Sequence, residues 1–196
     1  FAAGISLGGN ALLKWLGLDA EAAREAVDVA AGVSAPLNLL ISGDALGQGF
    51  NLFYTRMFLA TLKAKSEAMH RRHPGRFDVA AMRRSRTLRD FDNAVTAPLH
   101  GFRDTDDYWT RASALPHLAA IRVPTLVINA LDDPFVPSTA LPQPGQVSDC
   151  VTIEFPPGGG HVGFVSGRFP GTIDWLPRRL CDYFANVAKV AAGRQA

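Results

Sequence analysis

The sequence predicts an α/β fold, a mostly parallel sheet whose strands alternate with helices and are interrupted by one helical insertion. Three observations carry that expectation. Thr125-Leu126-Val127-Ile128-Asn129 and Val151-Thr152-Ile153-Glu154-Phe155 have the length and β-branched content of buried strands. Other segments place apolar residues every three or four positions, as helices do. From about residue 43 to 115 no strand pattern occurs, which marks an insertion, a cap over the C-terminal edge of the sheet, within the alternation.

In chain order, Phe1 to Ile5 reads as the end of a buried strand, and Leu7 to Leu16 as a helix that Gly17 stops. Ala26 to Val33 reads as an interior strand ended by Pro36, and Gly43 to Gly49 as a glycine-bearing loop. Phe50 to Arg72 is a helix, with Phe50, Phe53, Tyr54, Met57, Phe58 and Leu62 as its apolar stripe, broken by His73-Pro74-Gly75. A polar helix follows around Val79 to Leu88. Another starts at Thr105, with Asp106 and Asp107 suited to the dipole of its first turn. After the two strands named above, a helix from about Leu176 to Val190 closes the chain. Pro177 sits in its first turn, where a missing N–H costs nothing.

The 196 residues are 47% hydrophobic and 19% charged, enough to bury a core and unlike a disordered chain. Twenty basic against eighteen acidic residues give no reason to expect nucleic acid or an anionic membrane as partner. The run Met82-Arg83-Arg84-Ser85-Arg86 reads as a solvated helix face. Cys150 and Cys181 form neither a disulfide framework nor a metal-ligand pattern, so both read as reduced packing residues and no metal is expected. No apolar run has the length of a membrane span and no signal peptide is visible, which makes the cytoplasm the default expectation. The sequence opens Phe1-Ala2-Ala3-Gly4 as if inside a strand.

Chemistry enters with Gly4-Ile5-Ser6-Leu7-Gly8, a G-x-S-x-G pattern with a strand before it and a helix after it. A strand that turns into a helix within a few residues holds the serine in a strained conformation with its oxygen exposed. Glycine is expected at Gly4 and Gly8 because side chains there would collide. The Leu7 N–H at the helix N-terminus is placed to donate to a developing oxyanion. A serine needs a base, and this elbow is followed in chain order by an acid and then a histidine. Asp132 and Asp133 follow the Thr125–Asn129 strand. Asp133, four residues before Pro137, is preferred as the acid, and Asp132 is the alternative, otherwise a cap of the turn. His161 follows Gly158-Gly159-Gly160, whose flexibility lets its ring reach over the sheet edge. His70 and His73 read as solvated. His100, in Leu99-His100-Gly101-Phe102, reads as a cap or pocket residue or, equally, as a buried hydrogen-bonded histidine. Phe53, Met57 and Phe58 are candidates to line an acyl pocket, against the plainer reading of a helix core stripe.

Gly4 to Asn10, Asp90-Phe91-Asp92, Thr96 to Phe102, Asp107-Tyr108-Trp109, Asn129 to Pro134 and Gly159 to Phe164 occur in one order over nearly the whole chain. In these segments the sequence resembles the YheT-like branch of the α/β hydrolases, the AB-hydrolase 4 family. The resemblance implies the C-terminal portion of an α/β-hydrolase fold, a mostly parallel sheet with an inserted helical cap. Ser6, Asp133 and His161 fall on the family's triad positions. It implies a carboxylic-ester hydrolase acting on short- or medium-chain acyl esters, acylglycerols or related lipids, with acyl transfer or thioester cleavage as alternatives on the same triad. A non-catalytic binding protein ranks behind these. No cofactor and no obligatory protein partner is implied, and the partner expected is a small acyl ester or lipid substrate. Family members carry an N-terminal half that supplies the second oxyanion donor. The 196 residues by themselves are therefore expected to fold poorly or to lack activity.

Overall fold

In the computed structural model, residues 1–193 are described, with side chains through Lys189. Four strands, β1 (Ala2–Ile5), β2 (Ala30–Val33), β3 (Thr125–Ile128) and β4 (Val151–Glu154), form one sheet in the order β1-β2-β3-β4. Every pairing is parallel, with Gly4 opposite Gly32, Val33 opposite Ile128 and Ile128 opposite Glu154. All strand C-termini therefore leave along one edge. The helices are α1 (Leu7–Leu18), α2 (Ala20–Ala26), α3 (Leu39–Leu46), α4 (Asn51–Arg72), α5 (Val79–Arg84), α6 (Leu88–Phe91), α7 (Ala97–Leu99), α8 (Thr105–Ala112) and α9 (Trp175–Gly193).

The chain divides into two compact units. One comprises the sheet with residues 1–38 and 113 onward, the other Leu39–Ala112. In the first, alternate residues of the inner strands feed two cores. Ala30 and Val127 join Leu13, Leu16, Leu118 and Ile121 on the α1 face. Ala31, Val33, Leu126 and Ile128 meet Phe164, Leu176, Leu180 and Phe184 on the α9 face. β2 and β3 are buried throughout, as strands covered on both faces must be. Arg179 of α9 pairs with Glu154 of β4, and Asn10 of α1 accepts the Ala114 N–H at 2.8 Å.

The second unit is helical. Leu59, Met82, Phe91, Ala94 and Val95 form its core. Asp92, at the start of a π-helical stretch (Asp92–Thr96), accepts the Trp109 indole N–H at 2.8 Å and the Thr96 hydroxyl. Burial pushes its carboxyl above the ordinary range, against the pull of those two bonds. The Arg89 guanidinium lies over the Trp109 ring and bridges Asp44 and Asp106.

Several expectations need correction. Ala26 ends a helix, because Ala20 to Ala26 consists almost wholly of strong helix formers; the strand starts only at Ala30. Gly17 does not stop α1. It lies inside the helix, where a Cβ would stand 2.2 Å from the His117 carbonyl oxygen, so glycine permits close packing there. Gly43 sits within α3, not in a loop, and makes room for the Trp109 ring. The segment expected as one helix to Leu88 is two, since Thr87 and Asp90 form a capping box that starts α6 anew. α4 forms as expected but buries Thr55, Leu59 and Ser66, with the Thr55 hydroxyl donating to the Leu46 carbonyl at 2.6 Å. Phe50, Phe53, Met57 and Phe58 stand exposed, so the stripe is not that unit's core. His70 is half-buried against Phe77 and its Nδ1 is shielded from solvent. His100 is exposed, which sets aside the buried reading. Cys181 is exposed rather than packed, and Cys150 is half-buried.

Candidate active site

Ser6 leaves β1 and caps α1 with φ 53° and ψ −127°, outside the regions that side chains prefer. Two bonds hold it there. Its N–H donates to the Val33 carbonyl at 2.8 Å, and its carbonyl accepts from the Asn10 N–H at 3.1 Å. The turn closes so tightly that a Cβ on Gly4 would lie 2.6 Å from the Gly8 carbonyl oxygen. One added on Gly9 would lie 2.9 Å from the Gly4 oxygen and 3.0 Å from Ala35 Cβ. Gly8 itself has open space, which corrects the expectation that its side chain would collide: the crowded partner of Gly4 is Gly9. Leu7 opens α1 with its side chain half exposed, and its N–H belongs to the first turn, where no intrahelical acceptor exists.

Asp133 and His161 reach the same edge from β3 and β4. The His161 ring joins the two: Nε2 lies 2.9 Å from Ser6 Oγ, and Nδ1 lies 2.9 Å from Asp133 Oδ2. The Asp133 carboxyl is wholly shielded, and its other oxygen accepts the Phe135 N–H at 2.8 Å. The Phe135 ring packs on the imidazole with centroids 4.6 Å apart. With Asp133 ionised, its oxygen can only accept, so Nδ1 carries the proton and Nε2 presents a lone pair to the Ser6 hydroxyl. The structure thus brings together a hydroxyl, an imidazole and a carboxylate from positions 155 and 28 residues apart. Such a chain can withdraw a proton from the serine while the oxygen attacks an electrophile.

Asp132 points elsewhere. Its Oδ1 accepts the Gly160 N–H at 2.8 Å. His100 lines a cleft of about 490 Å³ with Met69, His73, Arg76 and Leu99, within the helical unit. Among the described residues no cluster of three His, Cys, Asp or Glu side chains is arranged to hold a metal ion. No helix of the described residues is long and apolar enough to cross a membrane. The sequence reading missed Phe135, Gly9 and the structural role of Asn10. Asn10 carried a signal, as a polar residue on the apolar face of α1.

No family model matches the chain. Among curated relatives, "Putative esterase YheT" of Escherichia coli is 36% identical over 184 residues, which are 93% of this chain and 54% of that protein. Phospholipase ABHD3 of Mus musculus is 32% identical over 190 residues, 96% of this chain and 44% of that protein. Monoacylglycerol lipase ABHD2 of Homo sapiens is 27% identical over 197 residues, 92% of this chain and 46% of that protein. The chain spans about half the length of the curated relatives it matches. With a parallel sheet, a serine on the elbow after its first strand and relatives of this kind along nearly its whole length, the chain belongs to the α/β-hydrolase family, in the branch of YheT.

Proposed function

We propose that the protein to which this chain belongs is a serine carboxylic-ester hydrolase, with Ser6 as nucleophile, His161 as general base and acid, and Asp133 as the group that orients His161. The observation that carries this reading is the continuous hydrogen-bonded line from Asp133 through His161 to Ser6. Ser6 Oγ attacks the ester carbonyl carbon as its proton passes to His161 Nε2, and the carbonyl oxygen becomes an oxyanion that the Leu7 N–H stabilises. The tetrahedral species collapses, the C–O bond to the alcohol breaks, and His161 returns the proton to the departing alkoxide. Water then attacks the acyl-Ser6 ester with His161 again as base, releasing the acid and restoring the hydroxyl. Asp133 stabilises the imidazolium in both halves.

The relatives named phospholipase and monoacylglycerol lipase support acyl esters of glycerol lipids as substrates, and short- and medium-chain acyl esters stand beside them as the simpler members of the same class in our reading. The exposed Phe53, Met57 and Phe58 on α4, with His100, remain our candidates for residues that meet the acyl chain. The test is pre-steady-state hydrolysis of an activated p-nitrophenyl ester series by the full-length protein. A burst of one p-nitrophenol per enzyme, lost in Ser6→Ala, is expected. A Ser6→Ala protein that still turns over at the parent rate would contradict the proposal.

A further inference from the structure

We propose that Asp132 is a positioning residue that clasps the glycine turn carrying His161, so that the paired acids divide the work. Asp133 holds the imidazole, and Asp132 holds the backbone from which it hangs. The inference rests on the reading of His161 as the base.

The geometry that supports it is a series of ties continuing the β3–β4 pairing past the ends of both strands. The Asn129 N–H donates to the Glu154 carbonyl at 3.1 Å, and the Leu131 N–H to the Pro156 carbonyl at 2.9 Å. Pro156 has no N–H with which to return such a bond to the Asn129 carbonyl, so the regular ladder ends there. There side chains take over. Asp132 Oδ1 accepts the Gly160 N–H at 2.8 Å, and Asp133 Oδ2 receives His161 Nδ1 at 2.9 Å. Gly160 has φ 57°, a conformation open to glycine, and this turn carries its N–H toward Asp132. Three successive glycines offer no side chains to pack, so ordering this turn costs more backbone entropy than elsewhere. The turn is also held from its far side, where the Phe164 N–H donates to the Gly159 carbonyl at 2.8 Å. Had Asp132 served only its own turn, its acceptor would face a neighbouring N–H; it faces one 28 residues away. A displacement of about 1 Å at a reacting group is enough to cost up to about a hundredfold in rate, and His161 is one residue from the clasp.

The role needs an acceptor oxygen, not a charge, and this separates it from an electrostatic action on the imidazole. Asp132→Ala and Asp132→Asn are compared with the parent and with Ser6→Ala in the full-length protein, using an activated ester. Active sites are counted by burst titration so that misfolded molecules drop out of kcat. The expected result is a kcat about tenfold lower in Asp132→Ala at nearly unchanged KM, and near-parental kcat in Asp132→Asn with an unshifted pH–rate profile. If Asp132→Ala does not fold, Asp132→Ser replaces it with the same expectation, because its oxygen falls short of Gly160. Parental kcat in the truncated variant overturns the proposal. So does an Asp132→Asn protein as slow as the alanine variant with a shifted profile, which would assign the role to the charge. Loss of activity in Ser6→Ala alongside either result leaves the reading of Ser6 and His161 standing. Retention of activity in Ser6→Ala is the separate failure of that reading.

Discussion

Ser6 occupies a backbone conformation of positive φ that a residue with a Cβ reaches at a cost, and the surrounding bonds to Val33 and Asn10 hold it there. At this scale each partner of the relay has a separable role. Asp133→Asn keeps the shape but presents an amide N–H or a weaker acceptor to Nδ1, which favours the wrong imidazole tautomer. Steady-state kinetics of that variant are expected to show kcat lower by about 10⁴ with an intact fold. Ser6 and His161 were legible in the sequence because glycines flank each of them, and glycine there signals a backbone demand that few other roles impose. Asp133 was preferred to its neighbour Asp132 only through its spacing to Pro137 and the family resemblance. What separates it from Asp132 is the direction each carboxylate takes, and that depends on a strand pairing no local pattern encodes. Asp92 supplies a different residue-scale prediction. Its carboxyl is raised chiefly by burial, so between the ordinary carboxylate value and the raised one the folded chain keeps a proton that the unfolded chain has released. Stability therefore falls as pH rises through that window and levels off above it. Urea denaturation across acidic pH should show this slope in the parent and its loss in Asp92→Asn.

Among the elements, α1 decides the geometry of the elbow, and its glycines are not equivalent. Gly8→Ala meets open space and should leave stability within about 1 kcal/mol of the parent. Gly9→Ala pushes a methyl against the Gly4 carbonyl and Ala35, and Gly17→Ala pushes one into the His117 carbonyl. Each is expected to lower stability by about 1–3 kcal/mol, despite the better helix propensity of alanine, because backbone atoms cannot move aside as a flexible side chain would. Thermal melts of the three variants test the order. The same comparison explains where pattern reading of elements succeeded. Helices with one buried face, such as α9, and strands buried on both faces, such as β3, carry their pattern in the sequence. Gly17 was misread as the end of a helix and Gly43 as part of a loop because their reason is the approach of His117 and Trp109, residues 100 and 66 positions away. The stripe on α4 had the helical period but the opposite facing, since Thr55 and Ser66 are buried instead, Thr55 with its hydroxyl bonded to the Leu46 carbonyl, a contact that hydropathy does not reveal.

Over the whole molecule, the parallel order places every strand's C-terminus on one edge, so residues far apart in the chain meet without any local signal between them. The fold class was legible because alternation of strand and helix is a pattern, while the strand order and the reach of the His161 turn are matters of tertiary packing. β1 is an outer strand of this sheet, with Ala3 and Ile5 exposed. An open edge of that kind pairs with other edges, so the 196 residues alone should associate at micromolar concentration, and Ala3→Lys should suppress it, as read by light scattering. The central claim, that Ser6 is the nucleophile His161 activates, is tested most directly by fluorophosphonate labelling of the full-length protein with mapping of the modified peptide. The account predicts one adduct, on Ser6, formed rapidly in the parent and slowed at least a thousandfold in His161→Ala. An adduct on another residue, or labelling of Ser6 at the parental rate without the imidazole, would contradict it.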